Sequence, residues 1–503
     1  MPKLVFLWTD IFVWLVFAMT AAYVSRVLGN PNTRRIWRRV FVAPTPMAAA
    51  IVMGLFVAIG LLDSVHFRPR IEATPTSVAA RPVASSQAVY SGETLSLLDL
   101  GFASLRDARE KTYSKPLAYR GFSKEAVDAG GTVVRDYPRL RYGGRLLRDP
   151  EREWGADLAS RIATGGVIGA LVGMMLMLIV TGAVASRRGE GIAAAWRYMR
   201  SPATTMPWVT VGRTLLILGP AIGIVLSLAA GYHVFGTDLT GNDVFYRVVK
   251  SIRTAIVMGS LTTAATLPFA LLLGVIAGYL RGWADDLIQY FYTVMSSIPA
   301  VLLIAACVLL IQVFIDKNQQ LFETGIERSD LKLLFLCLIV GITEFATMCR
   351  LVRGETLKLR ELDYIQASQA FGTSAIRIMS RHIVPNVMHI VIITLVLEFS
   401  QIVLYEAVLS YVGVGVDPSM SSFGTMLNLA RSEMARDPIV WWNLATAFVF
   451  MLALVLAVNL FADGVRDAFD PRARTWKPRR LASEIRRKVL APLALRGRPG
   501  LTS

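Results

Sequence analysis

Residues 361–386 read ELDYIQASQAFGTSAIRIMSRHIVPN, a polar and basic interlude between two long apolar runs. The pattern predicts two short helices with a break between them. The first covers 364–371 and carries small side chains at Ala367, Ser368 and Ala370, so another surface could approach its backbone closely. Gly372 supplies a residue that tolerates the left-handed conformation common after a helix end. Thr373 or Ser374 can cap the second helix, and Pro385 biases residues 382–384 towards its end. On the residues alone, the segment fits an ordinary loop between membrane spans as well as an element built to be gripped.

The surroundings set the class. With 503 residues, 54% of them hydrophobic and 18% charged, and a mean hydropathy of +0.50, the chain reads as an all-α polytopic membrane protein. The net charge of +17 and pI near 10.0 would suit a nucleic-acid partner. None is expected, because the basic residues concentrate in short loops beside apolar spans, the positive-inside pattern. Cys307, Cys337 and Cys349 fall in or at the edge of spans, and His66, His233, His382 and His389 are scattered. Neither a disulfide framework nor a metal site is implied.

Apolar stretches of about 20 residues, the length that crosses a bilayer, lie near 4–24, 46–62, 163–185, 209–231, 254–280, 287–314, 332–349, 387–413 and 441–462, nine in all. Arg26, Arg34, Arg35, Arg38 and Arg39 separate the first two spans with no acid among them, and Arg187, Arg188, Arg197 and Arg200 follow the third. Both loops should be cytoplasmic. By alternation the N-terminus lies outside, and residues 361–386 and the basic C-terminal tail lie inside. The first span also has features of a cleaved signal peptide, with Lys3 before it and Ala18, Ala21 and Ala22 at its end. Cleavage would put the five-arginine loop outside, so an uncleaved anchor is preferred, with Asp10 near enough to the outer interface to reach water.

Residues 63–162 form the one long hydrophilic segment, with an amphipathic helix expected around 93–109. It could fold as a small domain or pack on the membrane core or a partner. Residues 232–253 should hold turns at Gly236 and Gly241 followed by an amphipathic helix. Gly413, Gly415, Pro418 and Gly424 interrupt the apolar pattern, so the backbone should leave the hydrocarbon there, and Asp437-Pro438 marks its return.

Residues 361–386 are similar to the EAA loop of ABC importer permeases, whose pattern is E-A-A, three residues, G, nine residues, then a hydrophobic or His position leading to L-P. Gln366, Ala367, Ser368, Gly372, His382, Val384 and Pro385 occupy those places, with Gln366, Ser368 and Val384 as mild departures from Glu, Ala and Leu. Three more stretches resemble the C-type permease subunit of dipeptide, oligopeptide and nickel ABC importers. Phe235, Gly236, Thr237, Asp238, Gly241, Asp243 and Val244 match F-G-T-D-x-x-G-R-D-V, with Asn242 in place of Arg. Glu406, Leu409, Ser410, Gly413 and Gly415 match E-x-x-L-S-F-L-G-L-G, with Gly424 shortly after. Asp463, Gly464, Arg466, Asp467, Asp470, Pro471 and Arg472 match the closing D-G-L-R-D-x-L-D-P-R.

The resemblance implies a type I importer core in the inner (plasma) membrane. N-terminal spans at 1–62, an extracytoplasmic segment at 63–162 and additional spans at 163–231 precede a permease domain at 232–472, and a basic cytoplasmic tail follows at 473–503. It implies a heterodimer with a homologous sister subunit, two ABC ATPase subunits or domains, and an extracytoplasmic solute-binding protein that selects the cargo, with peptides favoured. Residues 364–379 would be a coupling helix seated in the ATPase, with Arg377 and Arg381 available to acidic groups there. The family has one span before F-G-T-D where this chain has four, so the family's first span is either the fourth or the second, whose RRIWRRVFVAPTPMAAAIVMG resembles the usual basic run.

No G-x-x-x-x-G-K-[ST], H-E-x-x-H or G-x-S-x-G occurs. The chain should therefore be non-catalytic and bind no cofactor, with ATP and Mg held by the partner ATPase. The rival is a proton-coupled secondary transporter using Glu344, Glu398 and Glu406, which fall in spans along with Gln401 and Arg213. Glu406 lies on a family motif, and Glu398 is the most membrane-central. A membrane-embedded enzyme lacks any catalytic constellation.

Overall fold

The computed structural model describes residues 3–70, 90–128, 133–201, 204–322 and 324–469; Asp470, Pro471, Arg472 and the basic tail lie outside the described residues. Strand β1 (Lys3–Val5) leads into α1 (Trp8–Gly29), the arginine-rich α2 (Pro31–Val40) and α3 (Pro44–Asp63). The hydrophilic segment holds β2 (His66–Arg68), β3 (Leu95–Ser96), α4 (Leu97–Gly101), α5 (Ala103–Asp107), β4 (Glu125–Asp128) and β5 (Val133–Asp136). Helices α6 (Pro150–Arg188), α7 (Ile192–Arg200) and α8 (Trp208–Ala229) follow. Then come α9 (Val244–Leu280), α10 (Trp283–Ser297), α11 (Ala300–Lys317), α12 (Gly325–Arg360), α13 (Asp363–Ala370) and α14 (Ala375–Ile378). The last three are α15 (Val384–Val412), α16 (Phe423–Glu433) and α17 (Trp442–Phe469). Among the described residues, nine helices are long and apolar enough to cross a membrane.

Three sequence expectations change. The span expected at 287–314 is broken: Ile298 is extended at φ −86°, ψ 131°, as a residue before proline favours, and Pro299 starts α11 afresh. The helix expected around 93–109 is two short helices, the first opened by a reciprocal Ser96–Asp99 cap. Asp10, expected to reach water, is 2% exposed and instead takes a hydrogen bond of 2.5 Å from Arg253 of α9, with His66 Nδ1 2.7 Å from its other oxygen. A buried carboxylate is tolerated when paired in this way.

Helices α9 and α12 form the central pair. A Cβ on Gly278 would lie 2.6 Å from Thr356 Cβ, and one on Gly341 would lie 2.8 Å from Ala265 Cβ, so glycines let the two backbones close up. Helices α15 and α17 flank this pair, and α3 lies across α9 and α17, touching at Gly60–Ile256 and at Gly464–Pro46. The hairpin of α6 and α8 stands outside this core and reaches it along α3.

The hydrophilic segment does not stand apart. Strands β1, β2 and β3 form one antiparallel sheet, with Lys3 opposite Arg68 and His66 opposite Ser96, and the segment binds the start of α9 through Asp63 and Asp99 to Lys250. It therefore lies at the end of the bundle where α9 begins. Residues 361–386 lie at the other end, since the 37 residues of α9 run about 55 Å.

The hairpin yields a test. Gly165, Gly169 and Gly173 of α6 face the backbone of Gly223, Gly219 and Leu215 of α8, and a Cβ on Gly169 would lie 2.1 Å from the Gly219 carbonyl oxygen. Gly169→Leu should part the two helices, destabilising the hairpin by about 3 kcal/mol. The readout is new protease cleavage within residues 189–207 of the purified protein, at unchanged expression.

Candidate coupling site

The segment singled out by sequence is a shallow cap on the end of α9, α12 and α15. Its inner face is fixed by Ile365, Ile378 and Ile383, all fully buried in one cluster with Ala277, Tyr279 and Val352. Polar bonds add to this. Gln369 donates to the Tyr279 hydroxyl at 3.1 Å, Asn386 donates to the Tyr364 hydroxyl at 3.2 Å, and Arg281 pairs with Glu361. Gly372 has φ +75°, the left-handed turn expected after α13.

The outer face is open. Gln366, Ala367, Gly372, Arg377, Arg381 and Pro385 are exposed, while Ser368 and His382 are half-buried. Ser368 donates to the Tyr364 carbonyl at 2.8 Å, so its hydroxyl is used within its own helix, and His382 stacks edge-on to Tyr364 at 6.2 Å. Arg377 and Arg381 have no carboxylate partner among the described residues. Phe371 at 88% and Ile376 at 76% exposure bracket Gly372. Neither occupies a motif position; their signal in the sequence is two large apolar residues beside the hinge of an otherwise polar stretch.

Pro385 does not end the second helix. Residues Met379–Ile383 adopt a π turn, and α15 continues through Pro385 in its first turn. The wider turn accommodates a residue with no N–H and a ring that would clash with the carbonyl four residues back. Residues 361–386 thus join α15 without a loop.

The motif residues at the other end of the bundle are bound into the fold. Gly236 at φ +73° and Gly241 at φ +77° turn the loop so tightly that a Cβ on Gly241 would lie 1.9 Å from the Glu110 carbonyl oxygen. Thr237 accepts from the Ser114 amide at 2.6 Å, and its carbonyl accepts from Trp442 Nε1 at 3.0 Å. Asp238 accepts the Thr240 and Asn242 amides and pairs with Arg247 at 2.6 Å. Asp243 caps α9 at the Tyr246 amide and holds His233 at 2.7 Å, while Phe235 packs between Phe245 and Phe450.

Glu406, a candidate relay in the rival reading, is fully buried and accepts the Ser410 and Ser422 hydroxyls at 2.7 and 2.8 Å. Gly415 and Gly424 press against Ser410, and Gly413 at φ +91° ends α15, so this group latches α16 onto α15. Gly464 seats Pro46 and Val40, whereas Asp463, Arg466 and Asp467 are exposed at the same end. Glu344 is exposed on α12, and Glu398 is half-buried with no hydrogen-bond partner for Oε2.

Residues 270–475 match the family described as binding-protein-dependent transport system inner membrane component. The oligopeptide transport system permease protein OppC of Haemophilus influenzae is 30% identical over 244 residues, which span 48% of this chain and 72% of that protein. The glutathione transport system permease protein GsiD of Pectobacterium atrosepticum is 31% identical over 243 residues, 48% of this chain and 74% of that protein. The dipeptide transport system permease protein DppC of Alkalihalophilus pseudofirmus is 33% identical over 243 residues, 48% of this chain and 73% of that protein.

The clamp between the hydrophilic segment and the F-G-T-D loop titrates. Burial lowers the His233 pKa, but its hydrogen bond to Asp243 and the Glu110 carboxylate 3.5 Å away outweigh this and raise it to about 9. Glu110 is held at about 2, against burial, by His233 and the amides of residues 141–143. The clamp is therefore complete between the ordinary carboxylate and histidine pKa values of 4.5 and 6.5, and it is lost as pH rises through 9 or falls through 2. Hydrogen exchange at residues 110–114, corrected for intrinsic rates, should rise above pH 9. His233→Gln should remove that step at a loss of about 3 kcal/mol.

Proposed function

The chain belongs to the family of binding-protein-dependent transport system inner membrane components and is a non-catalytic permease subunit of an ABC importer; from that premise, we propose that residues 361–386 seat its ATPase. One observation carries the reading. Phe371 and Ile376, at 88% and 76% exposure, project from a segment whose opposite face is pinned by three fully buried isoleucines. An apolar pair that exposed fits a groove on a partner. Gly372 sets the angle between the pair, Ala367 and Ser368 allow close approach, and Arg377 and Arg381 meet acidic groups at the rim.

Closure of two ATPases on bound ATP and Mg would push on this cap. Because α14 continues into α15 and the cap is bound to the ends of α9 and α12, the push tilts those helices and switches the pathway between inward and outward access. A homologous sister subunit completes the pathway, and a solute-binding protein delivers the cargo at the opposite end. Peptides are the cargo this reading favours, in keeping with the oligopeptide and dipeptide names of the relatives.

The coupling end faces the cytoplasm and the hydrophilic segment faces outward, with the N-terminus outside and the C-terminus inside, in line with nine arginines near α1, α2, α6 and α7. We read α3 as the family's first span, since Pro46 packs on the motif residue Gly464. On that reading the hydrophilic segment and the α6–α8 hairpin are additions to the core.

Gly372→Val forces a branched side chain into a left-handed backbone, a strain of about 2 kcal/mol. It should reduce uptake and cargo-stimulated ATP hydrolysis at least tenfold while leaving membrane insertion intact. Phe371→Ser with Ile376→Ser should release the ATPase in a pull-down of the assembled transporter. Normal uptake by both variants would sink the assignment. For the orientation, a cysteine placed at Lys111 should react with an impermeant reagent on intact cells and one at Ala193 should not; the opposite pattern reverses the topology.

A further inference from the structure

Two arginine-rich elements that take no part in coupling meet at one elbow. Residues 11–62 contain no Asp or Glu, and within them α2 carries Arg34, Arg35, Arg38 and Arg39. Its other face, Ile36, Trp37 and Val40, packs on Val465, Ala468 and Phe469 of α17, so all four guanidinium groups turn outward. The second element is the end of α6 with α7, which adds Arg187, Arg188, Arg197 and Arg200. Across residues 186–207 the one acid is Glu190, and it pairs with Arg188 at 3.1 Å.

Arg38 joins the two elements by donating to Thr205 Oγ1 at 2.6 Å. Beside that bond lies a cavity of about 380 Å³ lined by Arg200, Thr204, Thr205, Val42, Trp208 and Val209. Val42 and Val209 are exposed at 44% and 45%. The cavity sits where α3 and α8 begin, at the edge of the apolar bundle, and Trp37, Trp196 and Trp208 lie on the elements around it, as aromatic side chains do at a membrane interface. Among the described residues, Arg34, Arg35, Arg39 and Arg197 form no ion pair.

We propose that this elbow binds the headgroup of an anionic phospholipid. Arg38 and Arg200 bond its phosphate oxygens, the Thr205 hydroxyl, which accepts from Arg38 and keeps its own proton, donates to them, and the acyl chains lie against Val42 and Val209. Guanidinium groups suit this ligand because they present paired N–H donors to phosphate oxygens. A basic pocket between helices at the cytoplasmic interface is a recognised setting for such headgroups. The exposed valines favour lipid over an acidic protein surface, which would meet the charges and leave the apolar rim in water. The proposal rests on the permease reading only for the cytoplasmic side of the elbow, not on the coupling role of residues 361–386.

The test is lipid retention by the full-length chain purified in detergent, with phosphatidylglycerol and cardiolipin per protein counted by mass spectrometry. Arg38→Ala with Arg200→Ala should cut retention at least fivefold, and Arg38→Lys with Arg200→Lys should keep most of it. Arg145→Ala with Arg148→Ala, at the opposite end, should change nothing. Equal retention in the two alanine pairs overturns the proposal. So does an elbow variant that keeps its lipid but loses the ATPase, because the surface then belongs to that partner. Should the elbow variant elute as aggregate, the wild-type chain in phosphatidylcholine nanodiscs decides: phosphatidylglycerol must raise its unfolding midpoint, and no rise overturns the proposal. Failure of the Gly372→Val test would leave these outcomes unchanged, so the two ideas can fail separately.

Discussion

Three cations at three-residue spacing near the start of α9 gather the segments that precede it. Arg247 is met by Asp238 of the motif loop, Lys250 by Asp63 and Asp99, and Arg253 by Asp10 and Asp330. Such spacing puts the three on neighbouring positions of one helical face. Each side chain is largely removed from solvent, and an unpaired buried charge is destabilising by about 3 to 5 kcal/mol. The carboxylates come from α1, α3, α4 and α12 as well as the motif loop, so satisfying three charges draws in a partner as far as 243 residues from its cation. The first helix and the hydrophilic segment are held to the permease core by these charge pairs together with apolar contacts such as Tyr113 and Phe122 on Trp442.

That requirement also marks what could be read from the chain. Apolar runs announce themselves by length, and all the spans were legible that way. The break at Pro299 was not, because an apolar run of the right length hides a proline at its centre. Asp10 was misjudged for a different reason: a single acid near a span end looks solvated until the arginine that answers it, 243 residues away, is placed beside it. Local spacing cannot report a partner that distant.

Residues 361–386 were the more legible half of the candidate site. Gly372 takes the left-handed turn its position called for, and the small residues of α13 are exposed or half-buried. Two things were hidden. Pro385 read as a stop, yet a π turn carries the helix past it. Phe371 and Ile376 occupy no motif position, and only the depth of Ile365, Ile378 and Ile383 reveals which apolar residues of the segment are used inside and which stay exposed. In a short segment with both kinds, period alone does not separate them.

Helix α12 runs unbroken for 36 residues, about 54 Å. Its near end adjoins α13, while its far end carries Lys332, bonded to Asp417 at 2.9 Å, and Ser329, 2.9 Å from Ser419. A rod of that length acts as a lever arm: a tilt of about 5° at one end swings the other by about 5 Å, roughly the width of a side chain. The loop between α15 and α16 would be carried along by those two bonds, so a small angular change at the α13 end becomes a displacement at the opposite end of the bundle with no intermediate joint to absorb it.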